Sequence, residues 1–237
     1  MRHFIDISTQ LECWYHTDLG QYLLNTEIEL VNRQIDDFFG HHLLQIGVAS
    51  NCLLFENSPI KHKMNIGMTE GSELITKFSD LPFAPNSLDI ILFHHSLEFY
   101  VKSHQLLREA HRCLRAEGRL VIVGFNPYSF LGIYTILKGK LPGSHWKQKL
   151  INVKRLSDWL VLLGFDVSEI NYGFALPPLQ NNYFKPKMSF CDDYLKTKNF
   201  PLGGIFVITA CKRLPTLTSI RSSWKKVRTP TIGLTAS

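Results

Sequence analysis

The sequence predicts an α/β fold with a mostly parallel sheet covered by helices on both faces. Three observations carry that expectation. Short apolar runs alternate with amphipathic stretches of helical period, which is the pattern of strand–helix–strand units. Apart from Asp89 and Arg119, residues 88–93 and 119–125 are apolar on both faces of any strand they form, as buried parallel strands are. The first apolar run, 43–46, ends directly on Gly47, which suits a strand entering a tight turn.

Taken in order, residues 11–24 and 26–39 carry apolar side chains at helical spacing, and Gly40 stands where the second helix would end. Two helices are therefore expected before the core. Residues 43–46 form the first strand, 62–66 and 74–78 are weaker strands, and 88–93 form a strand after the Pro85-Asn86-Ser87 turn. Residues 104–115 follow as a helix whose Leu106, Leu107, Ala110, Cys113 and Leu114 share one face. Glu117-Gly118 breaks it, and 119–125 is a strand rich in β-branched residues. Residues 153–163 read as another amphipathic helix closing at Gly164, with a strand from 165 to about 172. Residues 175–201, with four prolines among aromatics, read as an irregular insertion before a final strand at 204–211, a placement that permits an antiparallel partner. One domain is expected over residues 1–213, made of a helical extension (1–40) and a core (41–213). Residues 214–237 form a basic, Ser- and Thr-rich tail with the composition of a disordered segment.

Length and charge narrow the class. A chain of 237 residues with 45% hydrophobic content buries a substantial core. The net charge of +6 is concentrated at one end: residues 194–237 hold eight of the 26 basic residues and none of the 20 acidic ones, which leaves 1–193 at −2. Such a tail attracts RNA, DNA or anionic lipid, or only solubilises the chain; both readings are open. Residues 1–21 lack the unbroken apolar core of a signal peptide, and the apolar stretch 120–137 is interrupted by Gly124, Asn126, Pro127 and Ser129, so no export and no membrane span are expected. The five cysteines form no close pairs, which fits reduced thiols in a cytoplasm.

Motifs sharpen the class. Residues 81–89, LPFAPNSLD, resemble the LPF-x-x-x-S-h-D segment of the methyltransferase type 11 group. The run 92–99, LFHHSLEF, is similar to that group's H-x-L-E region, 107–114, LREAHRCL, to its L-R-E-x-x-R-x-L helix, and 118–125 to its fifth strand. Residues 124–132, GFNPYSFLG, resemble a G-F-N-P-x-S-h-x-G segment of a proteobacterial branch of the group. The resemblance spans about residues 43–132 in order and spacing. It implies a Rossmann-like, seven-stranded class I methyltransferase in which S-adenosylmethionine (SAM) lies over the carboxyl ends of the first four strands. The cofactor residues it implies are Gln45, Gly47, Ala49, Asn65, Asp80, Leu81 and His94, with Asn126 and Tyr183 on the substrate side and His95 as the catalytic residue.

Several of these positions depart from the family pattern. Where the family's first loop reads D/E-h-G-x-G-x-G, this chain has Gln45, Gly47, Ala49 and Asn51. Gln45 lacks the carboxylate that would serve the cationic methionine end of SAM, so a weakened affinity is expected. The acid that holds the ribose has Asn65 near its position and Glu70 several residues on; Lys77 stands where the adenine-binding Asp is spaced, with Asp80 nearby. That lysine either pairs with an anionic ligand or extends into solvent.

Each candidate has a plainer reading. Methyl transfer from a sulfonium is accelerated mainly by positioning, and needs a base only for an acceptor proton of high pKa, a task for which His95 is suited. His95 equally suits a histidine hydrogen-bonded at a strand end. The pairs His41-His42 and His94-His95 invite a metal, but neighbours on a strand point to opposite faces, so no metal is expected. Asn126 serves either an acceptor or its own turn. Tyr183, Phe184, Phe190 and Tyr194, like Trp14 and Tyr15, either line a substrate or pack on the sheet. The leading expectation is a SAM-dependent methyltransferase. The alternatives are an inactive scaffold on the same fold and an RNA or anionic-surface binder acting through the tail.

Overall fold

The computed structural model describes residues 2–35, 38–49, 52–56, 58–67, 74–75, 80–139, 149–174 and 199–213. Two helices come first, α1 (Arg2–Tyr15) and α2 (Asp18–Ile35). The break between them falls at Thr17, not near residue 25 as the apolar spacing suggested. Thr17 caps α2 by accepting the Gly20 N–H at 3.2 Å and donates its own hydroxyl to Trp14 O at 2.7 Å. Gly20 makes this junction possible, since a Cβ there would lie 2.1 Å from Trp14 O. Gly40 does not end the second helix either, because α2 stops at Ile35. It marks a close approach instead: a Cβ on Gly40 would meet Asp89 Cβ at 2.6 Å.

The strands are β1 (His42–Gly47), β2 (His62–Gly67), β3 (Leu74–Ile75), β4 (Leu88–His94), β5 (Leu114–Phe125), β6 (Phe165–Gly173) and β7 (Ile205–Lys212). They form one sheet in the order β3-β2-β1-β4-β5-β7-β6, in which β3 is a two-residue stub beside six longer strands. The neighbours from β3 through β5 are parallel, and β7 runs antiparallel to both β5 and β6, as the late insertion permitted. All seven residues of β4 are buried, the burial expected of a central strand, and each large aliphatic side chain so buried contributes about 1.5–3 kcal/mol.

Between the strands lie α3 (Ser96–Phe99), α4 (Ser103–Cys113), α5 (Phe130–Gly139) and α6 (Val153–Leu162). The two faces of β7 show that both sides of the sheet are covered. Thr209 donates its hydroxyl to Gln34 of α2, whereas Lys212, on the opposite face by strand alternation, donates to His111 O and Leu114 O at 2.7 and 2.6 Å and so satisfies the end of α4. Asp89 anchors β1 to β4. Its carboxylate accepts the His41 and His42 N–H groups at 2.8 Å each and pairs with Arg115.

The family-like segments are structural clasps. Glu109 of α4 accepts the Leu81 N–H at 3.2 Å, and Arg112 donates to Leu81 O and Phe83 O at 3.0 and 2.9 Å, so the LPF turn and the L-R-E-x-x-R helix hold each other. In the GFNPYSFLG segment, Ser129 donates to Asn126 O at 2.7 Å and accepts the Gly132 N–H at 2.9 Å, repeating the arrangement at Thr17 and Gly20. A Cβ on Gly132 would again lie 2.1 Å from a carbonyl oxygen, that of Asn126.

Candidate functional site

The direction of connection switches between β1 and β4, which lie side by side with β2 on one flank and β5 on the other. Ligands of open α/β sheets bind at such a point, beyond the carboxyl ends of the strands. Gly47 ends β1 there, in register with His94 at the end of β4. A Cβ on Gly47 would meet nothing closer than Ala49 O at 3.4 Å, with Gln45 Nε2 and His94 Cβ at 3.7 Å. Those are ordinary contacts, so the protein's own packing does not demand a glycine. Ala49 is fully buried beside it, and Ser8 of α1 donates its hydroxyl to Val48 O at 2.5 Å, fixing the turn from the helical side.

Gln45 has a definite job in this turn. Its amide donates to Cys52 O at 2.6 Å and accepts the Leu54 N–H at 3.0 Å, so both ends are committed to the segment after β1. Asn65 lies across from Gln45 in register on β2 and is buried. Asp80 is exposed at the start of the LPF turn, and Leu81 beside it is buried. Asn126 donates to Pro201 O and Gly203 O at 2.8 and 2.9 Å and accepts the Tyr128 N–H at 3.1 Å, so its amide ties the end of β5 to the approach of β7. Tyr183, Phe184, Phe190, Tyr194, Lys77, Glu70, Asn51 and the tail 214–237 lie outside the described residues, as does most of the insertion, 175–198.

The end of β4 holds a dense charged cluster. His94 Nε2 lies 3.0 Å from Glu27 Oε2, and His95 Nε2 lies 2.8 Å from Glu27 Oε1. His95 Nδ1 lies 3.0 Å from Glu98 Oε2, and the second oxygen of Glu98 accepts the Phe125 N–H. Tyr15 donates to Glu27 Oε2 at 3.2 Å and has its hydroxyl 3.1 Å from His94 Nε2. All five side chains are buried. The expectation that His94 and His95 diverge is overturned by one backbone angle. His95 leaves the strand in the left-handed region, with φ of 52°, which breaks the alternation and turns both rings onto Glu27. The His95 ring also stacks on Phe125, with centroids 4.0 Å apart.

Burial and charge pull these groups in opposite directions. Burial alone raises the Glu27 carboxyl, but His95 and the hydrogen bonds from both imidazoles outweigh it and hold Glu27 down at about 2. For His95, burial lowers the value while Glu27 and Glu98 raise it, to about 9. His94 is held below the usual imidazole range by burial, Glu98 is pushed up by burial, and Tyr15 is pushed up by burial and Glu27.

Of the residues singled out from sequence, the structure brings together Gln45, Gly47, Ala49 and His94 at one turn, with His95 immediately below. Glu27 and Tyr15 complete the cluster. The signal for Glu27 was an acid on the apolar stripe of its helix, flanked on that face by Leu23, Leu30 and Val31. Glu98 was legible as the acid of H-x-L-E, three residues from His95.

A methyltransferase domain model matches residues 56–122. The uncharacterized protein YafS of Escherichia coli strain K12 is 32% identical over 168 residues, covering 70% of this chain and 70% of YafS. The uncharacterized protein MJ1123 of Methanocaldococcus jannaschii is 25% identical over 175 residues, covering 70% and 82% of the two chains. Among solved structures, a SAM-dependent methyltransferase of Thermotoga maritima, described as a possible histamine N-methyltransferase, superimposes with a TM-score of 0.67 at 19% identity, over 90% of this chain and 99% of its own. The chain therefore belongs to the same family as YafS and to the methyltransferase type 11 group, with the fold of class I SAM-dependent methyltransferases.

Proposed function

We propose that the chain binds SAM across the carboxyl ends of β1, β2 and β4 and transfers its methyl group to an acceptor seated beyond the end of β4. The observation that carries this reading is the Gly47 turn, a glycine at the switch point that internal packing does not require. The residues present fit the cofactor: the missing Cβ leaves room for a close approach to the backbone, Asn65 lies buried two residues before the end of β2, and Asp80 with Leu81 stands at the edge where an adenine would lie. SAM supplies a methyl carbon already activated by its sulfonium, so the protein's part is to bind, orient and exclude water. His95, clamped between two carboxylates and 1% exposed, acts in this reading by shaping the strand end and does not touch the acceptor. Gln45 holds the loop instead of facing the methionine end, which favours a cofactor affinity below that of relatives with an acid there.

A cytoplasmic location is part of the proposal, supported by four described cysteines that are free. No helix among the described residues is long and apolar enough to cross a membrane. Calorimetry with SAM and with S-adenosylhomocysteine tests the reading. Binding by the full chain that is lost in Gly47→Arg is the expected result. A chain that binds neither ligand at high micromolar concentration refutes it and leaves an inactive scaffold as the better description.

A further inference from the structure

We propose that Glu27, His94 and His95 form a structural site for one divalent transition-metal ion of the zinc class, buried directly beneath the Gly47 turn. In the methyl-transfer reading this cluster only shapes the end of β4, and the site stands whether or not SAM binds.

Three observations lead to it. A carboxylate oxygen of Glu27 and one ring nitrogen each from His94 and His95 all lie within 4.8 Å of one another, a set of nitrogen and oxygen donors suited to zinc. The Tyr15 hydroxyl supplies a fourth oxygen, 3.1 Å from His94 Nε2 and 3.2 Å from Glu27 Oε2. Corners of a tetrahedron built on bonds of about 2.0–2.1 Å are about 3.3 Å apart. The separations of 2.8–3.2 Å fall a few tenths of an ångström short of that edge and involve both oxygens of Glu27. The three donors together lie within 4.8 Å, so an ion would part the close pairs and draw the donors around itself.

The second observation is the orientation of His95. Its Nδ1 lies 3.0 Å from Glu98 Oε2, so a proton on Nδ1 is donated to that carboxylate, and an ion that displaced the Nε2 proton would find the Nε2 lone pair directed to the place it shares with Glu27. A carboxylate behind the imidazole is the usual way that a metal-binding histidine is fixed and made more basic. The left-handed backbone at His95 is the third observation. A β-strand does not aim two successive side chains at one point, and this strained residue is what brings the second ring to the same carboxylate as the first.

Charge is compatible with an ion. Glu27 and Glu98 bury two carboxylates against two imidazoles, and one divalent ion would balance both and leave both rings neutral.

The test begins with the full chain stripped by a chelator and titrated with Co²⁺. The expected result is one ion per chain, visible bands of a four-coordinate nitrogen and oxygen site without sulfur-to-cobalt charge transfer, and displacement by Zn²⁺. Glu27→Gln and His95→Gln lose the bands while Cys52→Ser keeps them. Because the first two changes also threaten folding, crystals of the unaltered chain soaked in Co²⁺ provide a measurement free of variants: an anomalous peak bonded to both Nε2 atoms is expected. Failure to bind either ion at high micromolar metal, sulfur charge-transfer bands, or a peak elsewhere such as the stacked His42 and His62 rings would overturn the site and leave a metal-free ion-pair network.

Discussion

β1 and β4 run side by side and end at the same level, Gly47 opposite His94, yet the chain treats the two ends differently. After β1, the turn is held by neutral hydrogen bonds: the two ends of the Gln45 amide and the Ser8 hydroxyl. After β4, it is held by charge, with two carboxylates and two imidazoles shut away from solvent. Neutral bonds of this kind are worth about 0.5–1.5 kcal/mol each, whereas a buried charge left without its partner costs several. A change at one end of the switch point therefore disturbs a few neutral bonds, whereas a change at the other disturbs a whole charged cluster. The family-like motif is degenerate at 45–51 and intact at 95–98.

Breaking the charged side gives the largest expected effect. Glu27→Ala takes the shared carboxylate from both imidazoles, leaving His95 with Glu98 alone and His94 with the Tyr15 hydroxyl, and should cost about 3–5 kcal/mol. In a chain of this size that lowers the midpoint of thermal unfolding by about 10 °C, at roughly 2–4 °C per kcal/mol. A drop of only a degree or two would mean that the cluster is not a unit.

Glycines sharpen the contrast. Gly132→Ala places a Cβ 2.1 Å from Asn126 O and should cost about 1–3 kcal/mol in denaturant unfolding. Gly47→Ala meets only ordinary contacts and should stay within about 0.5 kcal/mol. Similar losses for both would place Gly47 among the packing glycines.

On the neutral side, Gln45→Ala leaves Cys52 O and Leu54 N–H without their partner and should cost about 1–3 kcal/mol. Gln45→Glu should be less stable than the unaltered chain, since a carboxylate cannot donate to Cys52 O.

The smallest effect concerns acid. Burial raises the Asp89 carboxyl, but the His42 and His41 N–H groups and Arg115 more than offset it and hold it below the usual aspartate value. A group depressed in the folded state contributes stability that is fully present above its unfolded pKa and lost as pH falls through the folded one. Stability of the unaltered chain should therefore fall below about pH 4 more steeply than that of Asp89→Asn. Parallel acid limbs in the two proteins would remove Asp89 from that role.

Much of this fold was legible because it is local. The periodicity of residues 104–115 and the apolar run 88–93 place α4 and β4 within two residues, and Asn152 capping Lys154 N–H starts α6 at the expected position. The α1–α2 boundary was misplaced because apolar spacing continues across Thr17, where a side-chain cap and a Cβ-free contact decide the break. The turn at Gly47 was visible, as was the histidine pair. The convergence of that pair on Glu27 was not, because it depends on one positive φ and on a helix 67 residues earlier in the chain.

The most direct test of cofactor binding at the switch point is a structure of the chain co-crystallised with S-adenosylhomocysteine. Density running over Gly47, with the ribose near Asn65 and the adenine against Leu81, is the predicted result. Density lodged elsewhere, or none at saturating ligand, would contradict it.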